Sequence, residues 1–281
     1  MILKAGLIQT RTGLDAGANA AALAESAHRL AAAGADIIFT PEMCGRLDRV
    51  SARLLEQATN EADEPTLRTL SDVARARGVA IAIGSLAIRD RDDAGARLAN
   101  RSFLIGPDGG ILARYDKLHL FDVDLPDGTR YRESATFLAG ETAVVAPLPW
   151  GRLGLSICYD VRFPALYQAL AQAGAAVIAV PAAFTVPTGQ AHWHVLLRAR
   201  AIETGAFVVA AAQSGRHQDG RETFGHSLVV DPWGEVLLDM GTAPGEALVA
   251  LDLARVAEVR AQIPSLGHAR PIAPADERAA E

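Results

Sequence analysis

The sequence of 281 residues predicts a single mixed α/β domain in which a β-sandwich is covered by helices on its outside. Short apolar stretches typical of buried strands alternate with stretches whose apolar residues recur at helical spacing. The turn sequences Pro107-Asp-Gly109 and Asp231-Pro-Trp-Gly234 indicate hairpins instead of an uninterrupted βαβ series. Since no repeat or linker divides the chain, we expect one domain over residues 1–264 and a C-terminal tail over residues 265–281.

The first half of the chain opens with a strand and a helix, and this alternation then repeats. Strands are predicted at residues 2–9, 36–40 and 79–84, and helices at residues 19–33 and 65–77. Residues 89–96 are a charged connection, and residues 101–114 are a predicted hairpin. Residues 121–140 are polar and broken by proline and glycine, so we expect a long irregular segment of the kind that serves a site.

The second half continues the same pattern up to the tail. Strands are predicted at residues 143–147, 153–157, 176–180, 207–212 and 247–251, and helices from residue 163 and at residues 191–204 and 253–262. Residues 225–239 are the second predicted hairpin. The tail from Pro264 is rich in proline and alanine, and we expect it to be extended.

Composition excludes several classes of partner. The 27 Lys and Arg and 33 Asp and Glu give a net charge of −6 without a basic stripe, so we expect neither nucleic acid nor a membrane surface as partner. The N-terminus lacks the apolar segment of a secretory signal, and no later stretch reaches the roughly 18 apolar residues of a membrane span. We therefore expect a cytoplasmic protein whose two cysteines, Cys44 and Cys158, are free thiols.

Cys158 lies between a predicted strand and a predicted helix. A thiol at such a turn can point toward a cleft, and the unpaired N–H groups of the following helix favour its thiolate form. An isolated cysteine is more often a small buried hydrophobe. However, Tyr159, Asp160 and Arg162 place polar groups directly after the strand, which a purely structural cysteine does not require. We therefore interpret Cys158 as a candidate nucleophile.

Glu42 and Lys117 share one feature with Cys158, because each follows or ends a predicted strand at a break in regular structure. Strand ends are where the sites of α/β folds gather. Taken one at a time, the glutamate is as readily a helix cap or a solvated charge, and the lysine a surface residue. Together the three side chains supply a base, a cation and a nucleophile.

Four segments around these residues carry a family resemblance. They are Pro41-Glu42-Met43, the segment from Tyr115 through Lys117 and His119 to Asp124, Tyr131-Arg-Glu133-Ser134, and the segment from Ile157 through Cys158 to Pro164. In this order they resemble the nitrilase superfamily of carbon–nitrogen hydrolases, from about Leu3 to Pro264. Segments at residues 181–185, 188–193, 197–204, 211–217 and 225–234 are similar to its branch of deaminated glutathione amidases.

The resemblance implies a four-layer α-β-β-α sandwich, a homodimer to which the tail contributes, and a reaction without metal or organic cofactor. It implies that Glu42 takes the thiol proton of Cys158, whose sulfur attacks an amide carbonyl to give a thioester. Lys117 and the backbone N–H of Tyr159 then stabilise the oxyanion. Glu133 matches a second glutamate beside the lysine, where repulsion between the two carboxylates could raise the pKa of one of them. The alternative for Glu133 is a salt bridge within a loop.

The implied substrate is deaminated glutathione, cleaved to 2-oxoglutarate and cysteinylglycine. Such an anion needs cationic and donor groups, and the candidates are Arg162, Thr185, Trp193, and Arg198 or Arg216. Each also has a structural interpretation: Arg162 can pair with Asp160, and Trp193 lies on the apolar face of its helix.

Other functions remain open at this point. An omega-amidase acting on alpha-ketoglutaramate shares the first motifs, and a non-catalytic binding scaffold could retain the fold. A zinc hydrolase would use His192, His194, His217 or His226, but two histidines two residues apart on a helix cannot face one metal together. Cys44 follows Glu42 closely, so it either approaches the pocket or is a packed thiol.

Overall fold

The computed structural model describes residues 1–89, 97–124 and 128–272, and these form two β-sheets packed face to face with helices on both outer sides. The predicted α-β-β-α sandwich is thereby confirmed. The predictions for the connection at 89–96, the irregular segment at 121–140 and the tail fall partly outside the described residues.

The first sheet has seven strands in the order β17-β1-β2-β3-β4-β5, with β8 beside β4. Its strands are β1 (Ile2–Gln9), β2 (Ile37–Phe39), β3 (Ala80–Ile88), β4 (Leu98–Ile105), β5 (Ile111–Asp116), β8 (Phe137–Leu138) and β17 (Gly245–Asp252). Strands β1, β2 and β3 are parallel, and the hairpin of β4 and β5 extends the sheet in antiparallel fashion. The carboxyl ends of the parallel strands therefore lie at one edge of the sheet.

The second sheet has six strands in the order β16-β15-β12-β11-β10-β9. Its strands are β9 (Val144–Leu148), β10 (Gly151–Leu155), β11 (Val177–Ala179), β12 (Phe207–Ala210), β15 (Leu228–Val230) and β16 (Val236–Asp239). Strands β10, β11 and β12 are parallel. Two small hairpins stand outside the sheets, one formed by β6 (Asp122–Asp124) and β7 (Arg130–Arg132), the other by β13 (Ser214–Arg216) and β14 (Glu222–Phe224).

Helices cover both sheets. Those that lie on the sheets are α1 (Ala16–Ala32) and α3 (Pro65–Arg77) on the first, and α4 (Pro164–Gln172) and α5 (Val186–Thr204) on the second. In β2, Ile38 faces the helices whereas Ile37 and Phe39 face the second sheet, as the two-residue period of a strand requires. The other α-helices of the described residues are α2 (Ser51–Gln57), α6 (Ala254–Gln262) and α7 (Ser265–His268), and short 3₁₀ helices lie at Glu61–Asp63, Glu133–Ala135 and Cys158–Arg162. Among the described residues, no helix is both long and apolar enough to cross a bilayer.

Some predicted elements need correction. Helix α5 begins at Val186, five residues before the predicted start at residue 191, because Pro187 occupies its first turn, where a missing N–H costs nothing. The tail is not extended throughout, since Ser265–His268 forms the helical turn α7. Part of the segment predicted to be irregular forms the β6–β7 hairpin. Helix α2 and the β13–β14 hairpin were not predicted.

Candidate active site

Glu42, Lys117 and Cys158 follow the carboxyl ends of strands that belong to both sheets. Glu42 comes after β2 and Lys117 directly after β5 in the first sheet, and Cys158 comes after β10 in the second sheet. Their exposed fractions are 4%, 2% and 8%. Because ionised glutamate and lysine are almost never buried to this extent without a partner, the two charges must compensate each other locally.

The ammonium group of Lys117 lies between two carboxylates. Its Nζ atom is 2.9 Å from Oε1 of Glu42, and 3.0 and 2.9 Å from the two carboxylate oxygens of Glu133. The second oxygen of Glu42 accepts a hydrogen bond of 2.8 Å from the backbone N–H of Ala183, and Oε2 of Glu133 accepts one of 2.6 Å from the N–H of Phe121. Both carboxylates are therefore held in fixed directions.

These contacts determine the charges of the base and the cation. Burial by itself would lower the pKa of Lys117, but the charges of Glu133 and Glu42 raise that pKa well above its ordinary value. Burial would raise the pKa of Glu42, but the charge and hydrogen bond of Lys117 and the hydrogen bonds of Cys158 and Asn100 lower it. The raised pKa that repulsion could give one of the two carboxylates is therefore not found at Glu42.

The thiol of Cys158 is protonated in the resting protein. Burial raises its pKa well above the ordinary value, and the charge of Glu42 and the hydrogen bond with it add to this, while Lys117 opposes the shift only in part. The expectation that the following helix favours the thiolate is therefore wrong. Helix α4 begins only at Pro164, so its N-terminal N–H groups belong to residues well beyond the sulfur.

Asn100 joins the two carboxylates and was not found from the sequence. Its Nδ2 atom lies 3.2 Å from Oε1 of Glu42 and 3.0 Å from Oε1 of Glu133, and its backbone carbonyl oxygen accepts the backbone N–H of Lys117 at 3.0 Å. The one available signal was a buried asparagine within strand β4, since asparagine is depleted in strands.

Cys158 is carried by a tight turn that Asp160 holds in place. The residue has a left-handed backbone with φ 51°, and residues 158–162 form a 3₁₀ helix. The fully buried carboxylate of Asp160 accepts hydrogen bonds from the N–H of Ile157 at 2.9 Å and the hydroxyl of Tyr115 at 2.6 Å. Its other oxygen accepts the N–H of His119 at 3.0 Å and lies 2.7 Å from that imidazole Nδ1.

Two of the predicted substrate-binding residues lie next to the thiol along this turn. The N–H of Tyr159 belongs to the first residues of the 3₁₀ helix, which have no acceptor inside the helix. The guanidinium group of Arg162 lies over the rings of Tyr159 and Phe184, at 5.9 and 5.5 Å from their centroids. It also lies 3.3 Å from Nδ1 of His192, so the pairing of Arg162 with Asp160 considered from the sequence is not formed.

Trp193 and Thr185 have partners within the protein. Trp193 is fully buried, and its indole N–H donates to the carbonyl oxygen of His226 at 2.8 Å. The prediction that Trp193 lines the pocket needs correction, because its ring instead supports that of Phe184, 4.8 Å away. The hydroxyl of Thr185 pairs with that of Thr188 at 2.8 Å, at the start of α5.

The two further arginine candidates have other surroundings. Arg198 donates to the carbonyl oxygen of Gly234 at 2.8 Å, in the turn between β15 and β16. Arg216 is exposed on β13, opposite Glu222. Neither arginine has a described hydrogen bond to the group formed by Glu42, Lys117 and Cys158.

Cys44 is a packed thiol. It is fully buried among the residues beneath α1 and α3, and its sulfur lies 3.3 Å from the hydroxyl oxygen of Thr40. Burial raises its pKa to about 12. Both cysteines are free thiols, as expected.

His192 and His194 have different partners, as their spacing along one helix predicted. His192 contacts Arg162, His194 contacts Asp239, and His217 is buried between Thr12 and Thr223. However, His226 also contacts Asp239 and so lies beside His194, which spacing along one helix could not reveal.

Comparisons with family models and with known proteins identify the same family for this chain. The model of the carbon–nitrogen hydrolase family matches residues 4–261. A deaminated glutathione amidase from Synechocystis sp. is 46% identical over 237 residues, which are 84% of this chain and 86% of that protein.

Solved structures show the same architecture. The NitFhit protein of C. elegans has a TM-score of 0.89 at 36% identity over 96% of this chain, which spans only 65% of that longer chain. A mutant amidase from Nesterenkonia sp. has a TM-score of 0.78 at 29% identity, over 93% of this chain and 96% of that one. In that structure the acetamide moiety of fluoroacetamide is covalently added at the active site cysteine.

Proposed function

Because the chain belongs to the carbon–nitrogen hydrolase family, we propose that it is an amidase that hydrolyses deaminated glutathione to 2-oxoglutarate and cysteinylglycine. The chain is a hydrolase acting on carbon–nitrogen bonds other than peptide bonds. The relatives named for this substrate, at 46% and 42% identity over 84% of the chain, support the choice of substrate.

The first half of the proposed reaction forms a thioester. Glu42, ionised beside Lys117, takes the proton of the Cys158 thiol as the sulfur attacks the amide carbonyl carbon. The negative charge that develops on the carbonyl oxygen is stabilised by Lys117 and the N–H of Tyr159, and one such donor is worth roughly 3 kcal/mol in other enzymes. Glu42 then gives its proton to the departing nitrogen, the carbon–nitrogen bond breaks, and cysteinylglycine leaves.

The second half hydrolyses the thioester. Water loses a proton to Glu42 and attacks the same carbonyl carbon, again with the oxyanion beside Lys117. The carbon–sulfur bond breaks, the thiolate recovers a proton from Glu42, and 2-oxoglutarate is released. A single carboxylate thus acts as base and acid in the first half and again as base and acid in the second, while its two oxygens are held by Lys117 and the N–H of Ala183.

Substrate recognition is assigned to the turn after the nucleophile. Arg162 is the proposed partner of a substrate carboxylate, because its guanidinium group lies over two aromatic rings beside the thiol and is not paired with Asp160. Thr185 and the ring of Tyr159 are the proposed neighbours of the substrate chain.

The observation that carries the proposal is the burial of a Glu42–Lys117 ion pair against the thiol of Cys158. A buried ion pair is a poor way to stabilise a fold. An acid, a cation and a nucleophile in mutual contact are what amide cleavage through a thioester requires.

The proposal is tested by assaying wild type and Cys158→Ala on deaminated glutathione, alpha-ketoglutaramate and a simple nitrile, with release of 2-oxoglutarate or ammonia as the readout. We expect the largest kcat/KM on deaminated glutathione, no hydrolysis of the nitrile and loss of activity in the variant. A larger kcat/KM on alpha-ketoglutaramate would reassign the chain to the omega-amidases. Undiminished amide cleavage by Cys158→Ala would contradict the mechanism. Absence of cleavage by wild type would favour a binding scaffold.

We further propose that the enzyme works in the cytoplasm as a homodimer, with residues 265–281 contributing to the contact. The scattered net charge of −6 and the two free thiols support the location. Exposed apolar side chains near α7 support the contact.

A further inference from the structure

His194, His226 and Asp239 form a cluster that the proposed reaction does not use. His194 lies on α5, His226 precedes β15, and Asp239 ends β16. The Nε2 atom of His194 is 2.9 Å from Oδ2 of Asp239, and the Nδ1 atom of His226 is 2.8 Å from Oδ1. One nitrogen or oxygen atom of each residue lies within 4.8 Å of those of the other two.

We propose that these three side chains bind one divalent transition-metal ion, such as zinc. Two imidazole nitrogens and one carboxylate oxygen are a donor set that zinc accepts, with water completing the coordination. Zinc bonds of about 2.1 Å in a tetrahedron separate neighbouring ligand atoms by about 3.4 Å. Oδ2 of Asp239 is 2.9 Å from Nε2 of His194 and 3.1 Å from Nδ1 of His226, so these separations need to open by only about 0.3–0.5 Å as the ion replaces the shared protons.

The ring of His226 is already aimed at the carboxylate. Its backbone has φ 53°, a conformation that non-glycine residues rarely adopt. The N–H donates to the carbonyl oxygen of Gly241 at 2.6 Å, and the carbonyl oxygen accepts the indole N–H of Trp193 at 2.8 Å. The imidazole also stacks on Phe224, with centroids 4.4 Å apart and an interplanar angle of 24°. Little side-chain freedom is therefore lost when an ion binds.

The carboxylate supplies the negative charge of the site. The carboxylate of Asp239 accepts hydrogen bonds from His194, the N–H of Gly241 and His226. The side chains of His194, His226 and Asp239 are 37%, 23% and 33% exposed, so an ion and its water can reach them from solvent.

A bound ion would join α5 to the second sheet behind the wall of the active site. The N–H of Phe224, on which His226 stacks, donates to the carbonyl oxygen of Phe184 at 2.9 Å, and the ring of Phe184 lies beneath Arg162. No described hydrogen bond or ion pair connects the cluster to Cys158. The ion is therefore expected to stabilise the fold and to leave the chemistry at the sulfur unchanged.

The test is a calorimetric titration of Zn²⁺ into the full chain without a histidine tag and freed of metal. It is made in a Cys158→Ala background, so that zinc bound by the reactive thiol is not counted. We expect one ion per chain, a rise in Tm with zinc, and visible absorption of tetrahedral type when Co²⁺ replaces it. His194→Ala and Asp239→Asn should each weaken binding by at least about tenfold.

His226→Asn gives a second, independent variant, because asparagine tolerates the left-handed backbone while removing the imidazole. His28→Ala is the matched control, since His28 is a half-buried histidine paired with Arg77 on the other side of the sandwich. Circular dichroism in metal-free buffer establishes that each variant is folded. Absence of zinc binding by the parent chain overturns the proposal, and so does binding by folded His194→Ala and His226→Asn as tight as that of His28→Ala.

Discussion

At the scale of single residues, one proton lies between Glu42 and Cys158, and the surrounding charges decide which group holds it. Lys117 keeps the carboxylate ionised, and burial beside that carboxylate keeps the thiol protonated. In the proposed reaction the sulfur becomes nucleophilic only when the carboxylate takes its proton, while the substrate carbonyl carbon is in place for attack by the sulfur.

Glu42→Gln should therefore lower the pKa of Cys158 while removing activity. The substitution removes a charge and a hydrogen bond that raise the thiol pKa, and it leaves Lys117, which lowers it. We expect amide hydrolysis to fall about 10²- to 10⁴-fold, as for other lost general bases. Thiolate absorbance in the ultraviolet against pH, with Cys158→Ala as the blank, measures the pKa. The exposed Glu141→Gln is the control, and an unchanged or higher thiol pKa in Glu42→Gln contradicts this account.

Asn100 should act as a positioning residue. Asn100→Ala removes the N–H donors to Glu42 and Glu133, so the base is less well directed and kcat should fall about ten- to hundredfold with KM within about twofold. Because the hydrogen bond from Asn100 also lowers the pKa of Glu42, the acidic limb of the kcat/KM profile should move to higher pH.

Ser102→Ala is the matched control for Asn100, because Ser102 lies two residues further along β4 and donates only to the carbonyl oxygen of Ile83. Loss of stability without a shift of the acidic limb would make Asn100 a structural residue only.

The sequence could predict the reactive side chains that follow strand ends, but not the side chains that hydrogen-bond to them. The breaks after predicted strands pointed to Glu42, Lys117 and Cys158, which the structure brings together. Asn100 lies inside a strand, where no break distinguishes it. Trp193 was misplaced because an indole can face either a ligand or the core, and only the position of the His226 carbonyl decides between them.

At the scale of elements, the 3₁₀ helix at residues 158–162 depends on one buried carboxylate. Asp160 accepts hydrogen bonds from the backbone on both sides of the nucleophile turn, at Ile157 and at His119. Charge-assisted hydrogen bonds of this kind are about twice as strong as neutral ones. The turn therefore carries the strained backbone of Cys158 without support from a long helix.

Asp160→Asn should destabilise the protein substantially. The new amide N–H₂ group faces donors where the carboxylate accepted them, and an unsatisfied buried group beside a lost charged hydrogen bond costs about 2–4 kcal/mol. Tyr115→Phe removes one of the donors and should cost only about 1 kcal/mol. The free energy of unfolding in urea measures both. Equal losses in the two variants would contradict a central role for the carboxylate.

Element boundaries were predictable where local chemistry marks them. The prediction for α3 was correct because Pro65 occupies its first turn and Gly78 adopts the left-handed cap with φ 63°. The start of α5 was missed because proline and glycine, here Pro187 and Gly189, are typical of loops. Gly189 is required there instead by packing, since a Cβ atom at this position would lie 2.2 Å from the ring of Phe224.

At the scale of the whole molecule, the site depends on two sheets meeting. The pattern of strands and helices predicted a mixed sandwich, and the resemblance to a known family supplied its four layers. No local pattern specifies that the sheet edge at which β2 and β5 end lies against the edge at which β10 ends. This arrangement follows from the packing of the two sheets in one core, which includes Leu7, Phe39, Val177 and Val209.

The full chain should sediment at twice the mass of one chain. Ile202, Trp233 and Ile263 are 51%, 49% and 55% exposed and, with Leu266 of α7, line one apolar cavity of about 250 Å³, which suits a contact surface. Removing residues 265–281 should weaken the dimer, whereas removing only residues 273–281 keeps α7 and serves as the control. Sedimentation equilibrium decides this, and a monomeric full chain would contradict the dimer.

The left-handed backbone of Cys158 has a consequence for how such a chain can change over time. Among the described residues only Met43, Cys158 and His226 combine a side chain with positive φ, and Met43 adjoins Glu42, the proposed base. Each conformation costs about 1–2 kcal/mol relative to glycine. Substitution by glycine would remove this cost, but at Cys158 it would also remove the proposed nucleophile, so a more stable backbone at that position would come at the expense of the reaction.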